Sequence, residues 1–284
     1  MTARYRTVSF LSDYGTDDEF VGVVKSVIRG IAPHATVVDL THGIPPHDVR
    51  AGGLALARAI QYVDSGVILA IVDPGVGTER KAIAVEVAGG EGVFVGPDNG
   101  LLASAVSMTG GAERAVVLTN EAYHLPSPGP TFAGRDVFAP CAAHLAAGVP
   151  IDALGDAIDP ATLLPGVLPI NKREGDTIVC EVLWVDRYGN AQLNVDADEL
   201  AELGDRVVVR TGDIVRSAVR ADTYAAIPQG QLGLVVDSYG LVSICFDRRS
   251  AADELGLAAV SEVVLEGADG DGGITTEVRI GTRR

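Results

Sequence analysis

The fold is decided by the stretch VILAIVDPGVGTER, residues 67–80. Its first six residues, Val67–Val72, form a nearly continuous apolar run, which is typical of a parallel strand covered on both faces. The run stops at Asp73-Pro74-Gly75, a turn signal, and a glycine-rich loop then leads to Arg80. Because such a loop can fold back, we expect Asp73 at the edge of a sheet with the Arg80 guanidinium close to it, either holding a water molecule or forming a structural ion pair.

Around this strand, strand-like segments alternate with segments of helical spacing. Further strands are predicted at Tyr5–Leu11, Ala35–Leu40, Ala82–Val87, Gly92–Val95 and Ala115–Leu118, the third and fourth being paired around Gly89-Gly90. A helix with Asp17 and Asp18 in its first turn is predicted from the apolar spacing between Phe20 and Ile31. Further helices are predicted at Val49–Tyr62, from Asn99-Gly100 onwards, and at about Arg135–Ala147. This alternation indicates an amino-terminal α/β domain with a mostly parallel sheet.

The pattern changes after about residue 165, where Pro165, Pro169 and Gly175 mark a polar join. Beyond it, short alternating strands are predicted at Ile178–Val185, Arg206–Arg210, Leu232–Val236 and Leu241–Phe246, with a short helix near Ser250–Leu255. The sequence therefore predicts a small carboxy-terminal β barrel, with domains at 1–168 and 169–284. The acidic stretch Gly267–Gly273 is interpreted as a turn.

Composition excludes several classes of protein. With 47% apolar and 21% charged residues among 284, the chain is not disordered. The formal charge of −16 disfavours nucleic acid as a partner and is compatible with a cationic small substrate. No segment resembles a membrane span, and the start MTARYRTVSF lacks the apolar region of a secretory signal. Three scattered cysteines indicate buried thiols in a reducing compartment, so we expect a cytoplasmic protein.

Polar residues collect just after predicted strands, at Asp13, Thr41-His42, Asp73 and Asp98-Asn99. Ligands of open α/β sheets bind in the crevice at those strand ends, so their convergence predicts a site. Each residue alone also has a structural explanation: Asn99 can cap a helix, and Asp17 and Asp18 can complement the dipole of the first turn of a helix. The chain has no GxGxxG, P-loop lysine or HExxH motif, which leaves nucleotide-fold and zinc sites without support.

Six fragments, in order along nearly the whole chain, resemble the S-adenosylmethionine hydroxide adenosyltransferases, which are adenosine-forming hydrolases related to the fluorinases and chlorinases. They are FLSDYGTDDEFVG (10–22), DLTHGIPPHDVRAG (39–52), VDPGVGTER (72–80), VGPDNGLL (95–102), TFAGRDVFAP (131–140) and VDRYGN (185–190). Each fragment is weak alone, but the ordered set is specific. The resemblance implies a homotrimer with each site between the amino domain of one subunit and the barrel of its neighbour.

The resemblance also implies roles for individual residues. Asp13 matches the carboxylate that binds the ribose hydroxyls, Asp18 lies near the methionine portion, and Asp186 receives the methionine amino group. Tyr188 lies beside the adenine and Asn190 reads its edge, although DRYGN alone is also an ordinary turn. The expected set of substrate-binding residues is completed by Asn99, Phe132, Gly134, Tyr224 and Ser238.

Family hydrolases surround the attacking water with Asp, Arg and His. Asp73 and Arg80 match the first two, but Ala133 stands where the histidine of T-F-H-G-R-D is expected. The alanine is either a natural divergence or an engineered substitution, and the intact neighbouring residues favour the second. The resemblance implies hydrolysis of S-adenosylmethionine to adenosine and methionine by water attacking C5′, without metal or cofactor, slowed by the missing histidine.

Two rival functions remain open at this point. A halogenase would attack the same substrate with halide; the family's halogenases lack the Asp–Arg pair, although Gly134 stands where the chlorinase also has glycine. A non-catalytic module that senses S-adenosylmethionine or adenosine is favoured only by the missing histidine. A generic α/β protein without a site does not account for the ordered fragments.

Overall fold

A computed structural model describes residues 3–268, which divide into two units between Leu168 and Pro169. The strands and helices of the first unit are β1 (Thr7–Ser12), α1 (Phe20–Ile31), β2 (Thr36–Thr41), α2 (Val49–Ile60), β3 (Val67–Ile71), β4 (Ala82–Val87), β5 (Gly92–Pro97), α3 (Ala103–Met108), β6 (Arg114–Val117), α4 (Ala139–Ala146) and β7 (Asp156–Ile158). A π-helical turn, Gly134–Phe138, leads directly into α4.

The strands of the first unit form one sheet in the order β2-β1-β3-β5-β4-β6-β7. The four strands β2, β1, β3 and β5 are parallel, while β4, β6 and β7 extend the sheet with antiparallel pairs. The predicted pairing of Ala82–Val87 with the following strand is present, with Val87 opposite Gly92. The predicted α/β class with a parallel-rich sheet is thus confirmed, and the structure adds an antiparallel edge.

The central strand β3 is buried on both faces, as its composition predicts. Leu69 and Ile71 belong to the core formed with α1 and α4, and Ile68 and Ala70 belong to the core formed with α2 and α3. Apolar burial on both faces fixes the strand's register and depth. Consequently the chain leaves the core at the carboxyl ends of β1 and β3, at Asp13 and Asp73.

The second unit is a closed barrel, which confirms the predicted β architecture. Its elements are β8 (Lys172–Glu174), β9 (Thr177–Val185), β10 (Ala191–Asp196), α5 (Ala197–Glu202), β11 (Arg206–Thr211), β12 (Ile214–Arg220), β13 (Leu232–Val236), β14 (Leu241–Cys245), α6 (Ala251–Leu255) and β15 (Glu262–Gly267). The barrel closes in the order β9-β10-β14-β13-β12-β11-β15 and back to β9.

Several barrel elements were not predicted from the sequence. The strand β12 shows no alternation of apolar and polar residues, because only Ala218 on it is buried. The strand β10 carries a buried polar residue, Gln192, which interrupts its apolar pattern. The helix α5 did have a signal, a capping box in which Asp196 and Glu199 exchange hydrogen bonds with each other's backbone. The predicted turn at 267–273 falls largely outside the described residues, and its first residue ends β15.

The three cysteines, Cys141, Cys180 and Cys245, are free and buried. Burial raises the pKa of each thiol to about 12, so they remain protonated and behave as small apolar residues. Between residues 3 and 268, no helix is long and apolar enough to cross a bilayer.

Candidate active site

A cleft of about 850 Å³ lies in the first unit, where β1 and β3 end. It is lined by the loops that follow β1, β2 and β3 and by the segment that precedes the π-helical turn. Six of the residues predicted for the site line it together: Asp13, Asp18, Asp73, Phe132, Ala133 and Gly134. The structure thus brings together fragments that are far apart in the sequence.

The loop after β3 folds back and joins Asp73 to Arg80. Arg80 Nε donates to Asp73 Oδ1 at 2.9 Å, and Arg80 Nη2 donates to Oδ2. The side chain of Asp73 is only 6% exposed and that of Arg80 is 12% exposed. The guanidinium lies 5.2 Å from the centre of the Phe138 ring. Asp73 lines the cleft and Arg80 does not, so the arginine fixes the carboxylate from behind.

Burial raises the pKa of the Asp73 carboxyl, while the Arg80 guanidinium acts in the opposite direction. A carboxylate oxygen has two acceptor positions, and Arg80 uses one on each oxygen. The backbone N–H of Gly75 also acts on this carboxylate, and the position that is left can accept a hydrogen from a water molecule in the cleft. A raised pKa makes the group a stronger proton acceptor than an exposed aspartate.

Asp13 is held by the loop between β2 and α2. Its Oδ2 accepts a hydrogen bond from the backbone N–H of His47 at 2.8 Å. His47 has a φ of +68°, a left-handed conformation that is uncommon outside glycine, and it lines the cleft. Within residues 3–268 the other oxygen, Oδ1, accepts no hydrogen bond, so it is available to a ligand.

A buried histidine supports the loop that carries Asp13. His42 Nδ1 lies 2.8 Å from Ser12 Oγ, and the His42 carbonyl accepts the backbone N–H of Gly15 at 2.8 Å. On the other side of the ring, Nε2 lies 3.2 Å from Asp39 Oδ1. The sequence marked His42 only as a polar residue after a strand, and its supporting role is visible only in the fold.

The predicted position of Asp17 and Asp18 in a helical turn is wrong. The helix α1 begins at Phe20, without an acidic residue in its first turn, so both aspartates precede it. Asp18 and Glu19 line the cleft instead, and with Asp13 and Asp73 they give it four carboxylates. Such a concentration of negative charge attracts cationic ligands.

An aromatic cluster forms another wall of the cleft. The ring of Phe132 lies 5.7 Å from that of Tyr14 and 5.1 Å from that of Phe20, and Tyr14 and Phe20 are 5.8 Å apart. Edge-to-face packing at these distances fixes the segment that carries Ala133 and Gly134. Tyr14 and Phe20 were not predicted as site residues, although both lie in the fragment that contains Asp13.

Asn99 lies outside this cleft. Its Nδ2 donates to the carbonyl of Val72 at 2.8 Å and its Oδ1 accepts the N–H of Leu101 at 3.1 Å, and it lines a separate cavity of about 210 Å³. The structure thus shows Asn99 holding the chain just before Asp73. Its predicted contact with substrate stays a prediction.

A second pocket, of about 470 Å³, lies on the barrel unit and contains Tyr188, Asn190 and Tyr224. The side of the pocket is completed by the stretch from Phe246 to Ser250. Tyr188 is 74% exposed and Tyr224 is 42% exposed. Exposed aromatic rings beside an amide are suited to stacking on a flat heterocycle.

Asp186 organises the turn between β9 and β10. Its Oδ1 accepts the backbone N–H groups of Tyr188 and Asn190, at 2.8 and 2.9 Å, and its Oδ2 accepts Asn190 Nδ2 at 2.8 Å. This fixes the amide of Asn190, whose Oδ1 and second N–H have no hydrogen-bond partner among the described residues. Oδ2 of Asp186 retains one acceptor position for the amino group that the resemblance assigns to it.

The turn packs closely at Gly189 against Ser250, the residue that precedes α6. This residue has a φ of +81°, and a Cβ atom on it would lie 2.1 Å from Ser250 Oγ. Ser238 lies in a similar turn, where Asp237 Oδ1 accepts the N–H groups of Tyr239 and Leu241 at 2.8 and 3.3 Å. Ser238 is exposed and does not line the pocket that contains Tyr188. Its predicted contact with the substrate stays a prediction.

Residues 8–155 match the SAM hydroxide adenosyltransferase N-terminal domain, and residues 180–264 match the SAM hydroxide adenosyltransferase C-terminal domain. The chain belongs to this family. The two matches fall on the sheet unit and on the barrel, so each of the two pockets lies in a recognised domain of the family.

Curated relatives are similar over most of their length. The (R)-S-adenosyl-L-methionine hydrolase of Salinispora tropica is 43% identical over 250 residues, which cover 88% of this chain and 94% of the relative. The hydrolase of the same name from Thermus thermophilus is 41% identical over 263 residues, covering 89% and 96%. Fluorinases are more distant, with 26% identity over 221 residues for one from Actinoplanes.

A solved structure has the same fold. The Thermotoga maritima structure described as an uncharacterized conserved protein superposes with a TM-score of 0.83 at 33% identity, covering 91% of this chain and 99% of that one. Across residues 3–268, no group of three or more His, Cys, Asp or Glu side chains is placed to hold a metal ion.

Proposed function

We propose that this protein is an enzyme that hydrolyses S-adenosyl-L-methionine to adenosine and L-methionine. The observation that carries the proposal is the Asp73 carboxylate, which Arg80 holds in a fixed orientation on the wall of an acidic cleft. The names of the curated relatives support the same reaction.

The reaction is an in-line displacement by water. The water oxygen forms a bond to C5′ while the C5′–S bond breaks. The electron pair of the C5′–S bond stays on sulfur. Methionine then leaves as a neutral thioether, so no general acid is needed. One water proton passes to Asp73 and from there to solvent, and the second remains on the new hydroxyl of adenosine. Because the sulfonium itself carries the positive charge, we propose that neither metal nor cofactor takes part.

Charge and shape of the substrate suit the two pockets. The substrate carries a sulfonium and an ammonium against a single carboxylate, and the cleft with Asp13, Asp18 and Asp73 attracts that net positive charge. The free oxygen of Asp13 is available to the ribose hydroxyls. On the barrel, Asn190 offers one acceptor and one donor, the pattern that binds an adenine edge.

The division of these groups between two pockets supports a shared site. The cleft carries groups for the ribose and the water, whereas the exposed rings of Tyr188 and Tyr224 belong to the barrel pocket. We propose a homotrimer in which the cleft of one subunit and the barrel pocket of its neighbour together enclose the substrate. The buried free thiols support a reducing, cytoplasmic location.

A halide is a poorer nucleophile for this cleft than water. The ionised Asp73 would repel chloride or fluoride at the position where a water molecule gains an acceptor for its proton. The structure therefore favours hydrolysis over halogenation.

The test is product analysis in isotopically labelled water. Incubation with S-adenosylmethionine should give methionine and adenosine whose 5′ oxygen carries the label. Adenine, or adenosine without the label, would exclude attack by water at C5′. Addition of chloride should give no 5′-chloro-5′-deoxyadenosine, and binding without any product would favour the sensor instead.

A further inference from the structure

The hydroxyl of Tyr14 lies against the backbone of Gly134, beside Ala133. A Cβ atom on residue 134 would lie 2.1 Å from the Tyr14 oxygen and 3.1 Å from the ring carbon that bears it. Tyr14, Ala133 and Gly134 all line the cleft that contains Asp73. The absence of a side chain at Gly134 thus leaves room for a hydroxyl at the position next to Ala133.

Packing holds the Tyr14 ring in this orientation. The ring contacts Phe20 and Phe132 within the aromatic cluster, and it also lies 6.4 Å from the buried ring of Phe10. The loop that carries Tyr14 is tied down as well, because the Tyr14 N–H donates to Ser12 Oγ at 3.3 Å. A rigid ring with its oxygen in the cleft is preorganised in the way that a catalytic group requires.

The oxygen of Tyr14 has no partner among the residues that the structure describes. Within residues 3–268 the hydroxyl makes no hydrogen bond, although the charges of Asp13, Asp73 and Arg80 all act on it. Burial raises the pKa of Tyr14 above its ordinary value, and the carboxylates of Asp13 and Asp73 raise it further. The hydroxyl therefore stays protonated and neutral, and it can both donate and accept a hydrogen bond.

We propose that Tyr14 is a catalytic residue that holds the attacking water together with Asp73, at the place next to Ala133. This inference rests on the proposed hydrolysis. Acceptors that bind both hydrogens of a water molecule fix its orientation, so that a lone pair can point at C5′. Asp73 binds one hydrogen and takes that proton, Tyr14 Oη binds the other, and Tyr14 itself is unchanged by the reaction. The methyl group of Ala133 offers no such contact.

The first test is Tyr14→Phe, which removes only the oxygen and keeps the ring in its cluster. We expect kcat to fall at least about tenfold while KM and the thermal midpoint change little, because the lost contact is to the nucleophile. The matched control is Tyr62→Phe, at a residue that is 72% exposed and outside the cleft, which should leave kcat unchanged. An unchanged kcat for Tyr14→Phe would overturn the inference, as would a fall in kcat accompanied by a clearly lower thermal midpoint.

The second test uses the contact with Gly134. Gly134→Ala must displace the Tyr14 hydroxyl, so it should lower kcat by a larger factor in the unmodified chain than in Tyr14→Phe, where only the contacts of 3.1 and 3.2 Å with ring carbons remain. Equal factors in both backgrounds would show that the hydroxyl is not the group concerned. Failure of the underlying reaction is distinguishable, since the unmodified protein would then give no labelled adenosine at all.

Discussion

Arg80 and Asp73 form a two-point contact in which Arg80 Nε lies 2.9 Å from Asp73 Oδ1 and Nη2 binds the other oxygen. Because both oxygens are held, the carboxylate cannot rotate, and its free acceptor positions point in fixed directions. The arginine lies behind the carboxylate, away from the lining of the cleft. We therefore propose that Arg80 is a positioning residue and that Asp73 is the group that meets the water.

Arg80→Lys tests that division of roles. A lysine keeps the charge but cannot donate two parallel hydrogen bonds, so kcat should fall by about tenfold or more with little change in KM. Asp73→Asn should lower kcat by about 10²–10⁴-fold, the range of a lost general base. Arg210→Lys, at an exposed pair with Glu266, is the matched control and should have no effect on steady-state kinetics.

The pH dependence of kcat/KM should report Asp73. Only the carboxylate can accept the proton, so activity is lost as the pH falls through the pKa of this group. Burial raises that pKa, and the acid limb should accordingly lie above the ordinary aspartate value of about 3.9. The residual activity of Asp73→Asn should lack this limb. A limb at or below the ordinary value in the unmodified protein would contradict the assignment.

Ala133→His should raise kcat, by up to about tenfold or 1.4 kcal/mol of barrier, with little change in KM. The reason is that residue 133 lines the same cleft as Asp73 and directly precedes Gly134, the residue that faces the Tyr14 hydroxyl. The gain should be larger in Tyr14→Phe, where the water has lost its second acceptor, and should largely disappear in Asp73→Asn. A folded, substrate-binding Ala133→His protein with unchanged kcat in both the unmodified and Tyr14→Phe backgrounds would refute a water-holding role for this position.

Subunit mixing tests the shared site. Asp73→Asn impairs the cleft, and Asn190→Ala impairs the barrel pocket, so each variant alone should be nearly inactive. If each site combines two subunits of a trimer, refolding the two variants together in equal amounts should restore roughly a quarter of the activity, because each mixed trimer then has one intact site. A site built from a single chain predicts no recovery, and light scattering should give the mass of a trimer in every case.

Gly189→Ala should destabilise the barrel and weaken substrate binding. The added Cβ meets Ser250 Oγ and also strains a φ of +81°, which together should lower the free energy of unfolding by more than about 2 kcal/mol. Gly175→Ala is the matched control, since Gly175 has a φ of +60° with nothing within 4 Å, and only the strain of about 1 kcal/mol applies. Thermal unfolding with substrate titration separates the two effects, and equal shifts for both variants would refute the contact with Ser250.

Local sequence patterns predict much of the fold. The buried run at 67–72, the turn at Asp73 and the change of pattern near residue 165 predict the parallel-rich sheet and the barrel, because strand burial and turn chemistry depend on neighbouring residues. The strand β12 could not be found in this way, since only Ala218 on it is buried and an alternating pattern is absent.

The candidate site also has a part that local sequence predicts and a part that only the fold reveals. Asp13, Asp18 and Asp73 follow predicted strands or lie in fragments that the sequence makes recognisable, and the fold places all three in one cleft. The sequence by itself determined these residue types and their order along the chain. Only the tertiary structure decided that Asn99 supports Val72 outside that cleft, and that the Tyr14 hydroxyl occupies the space beside Gly134. Such contacts join segments far apart in the chain, and their distances are set by how the side chains of the core pack, which no local pattern encodes.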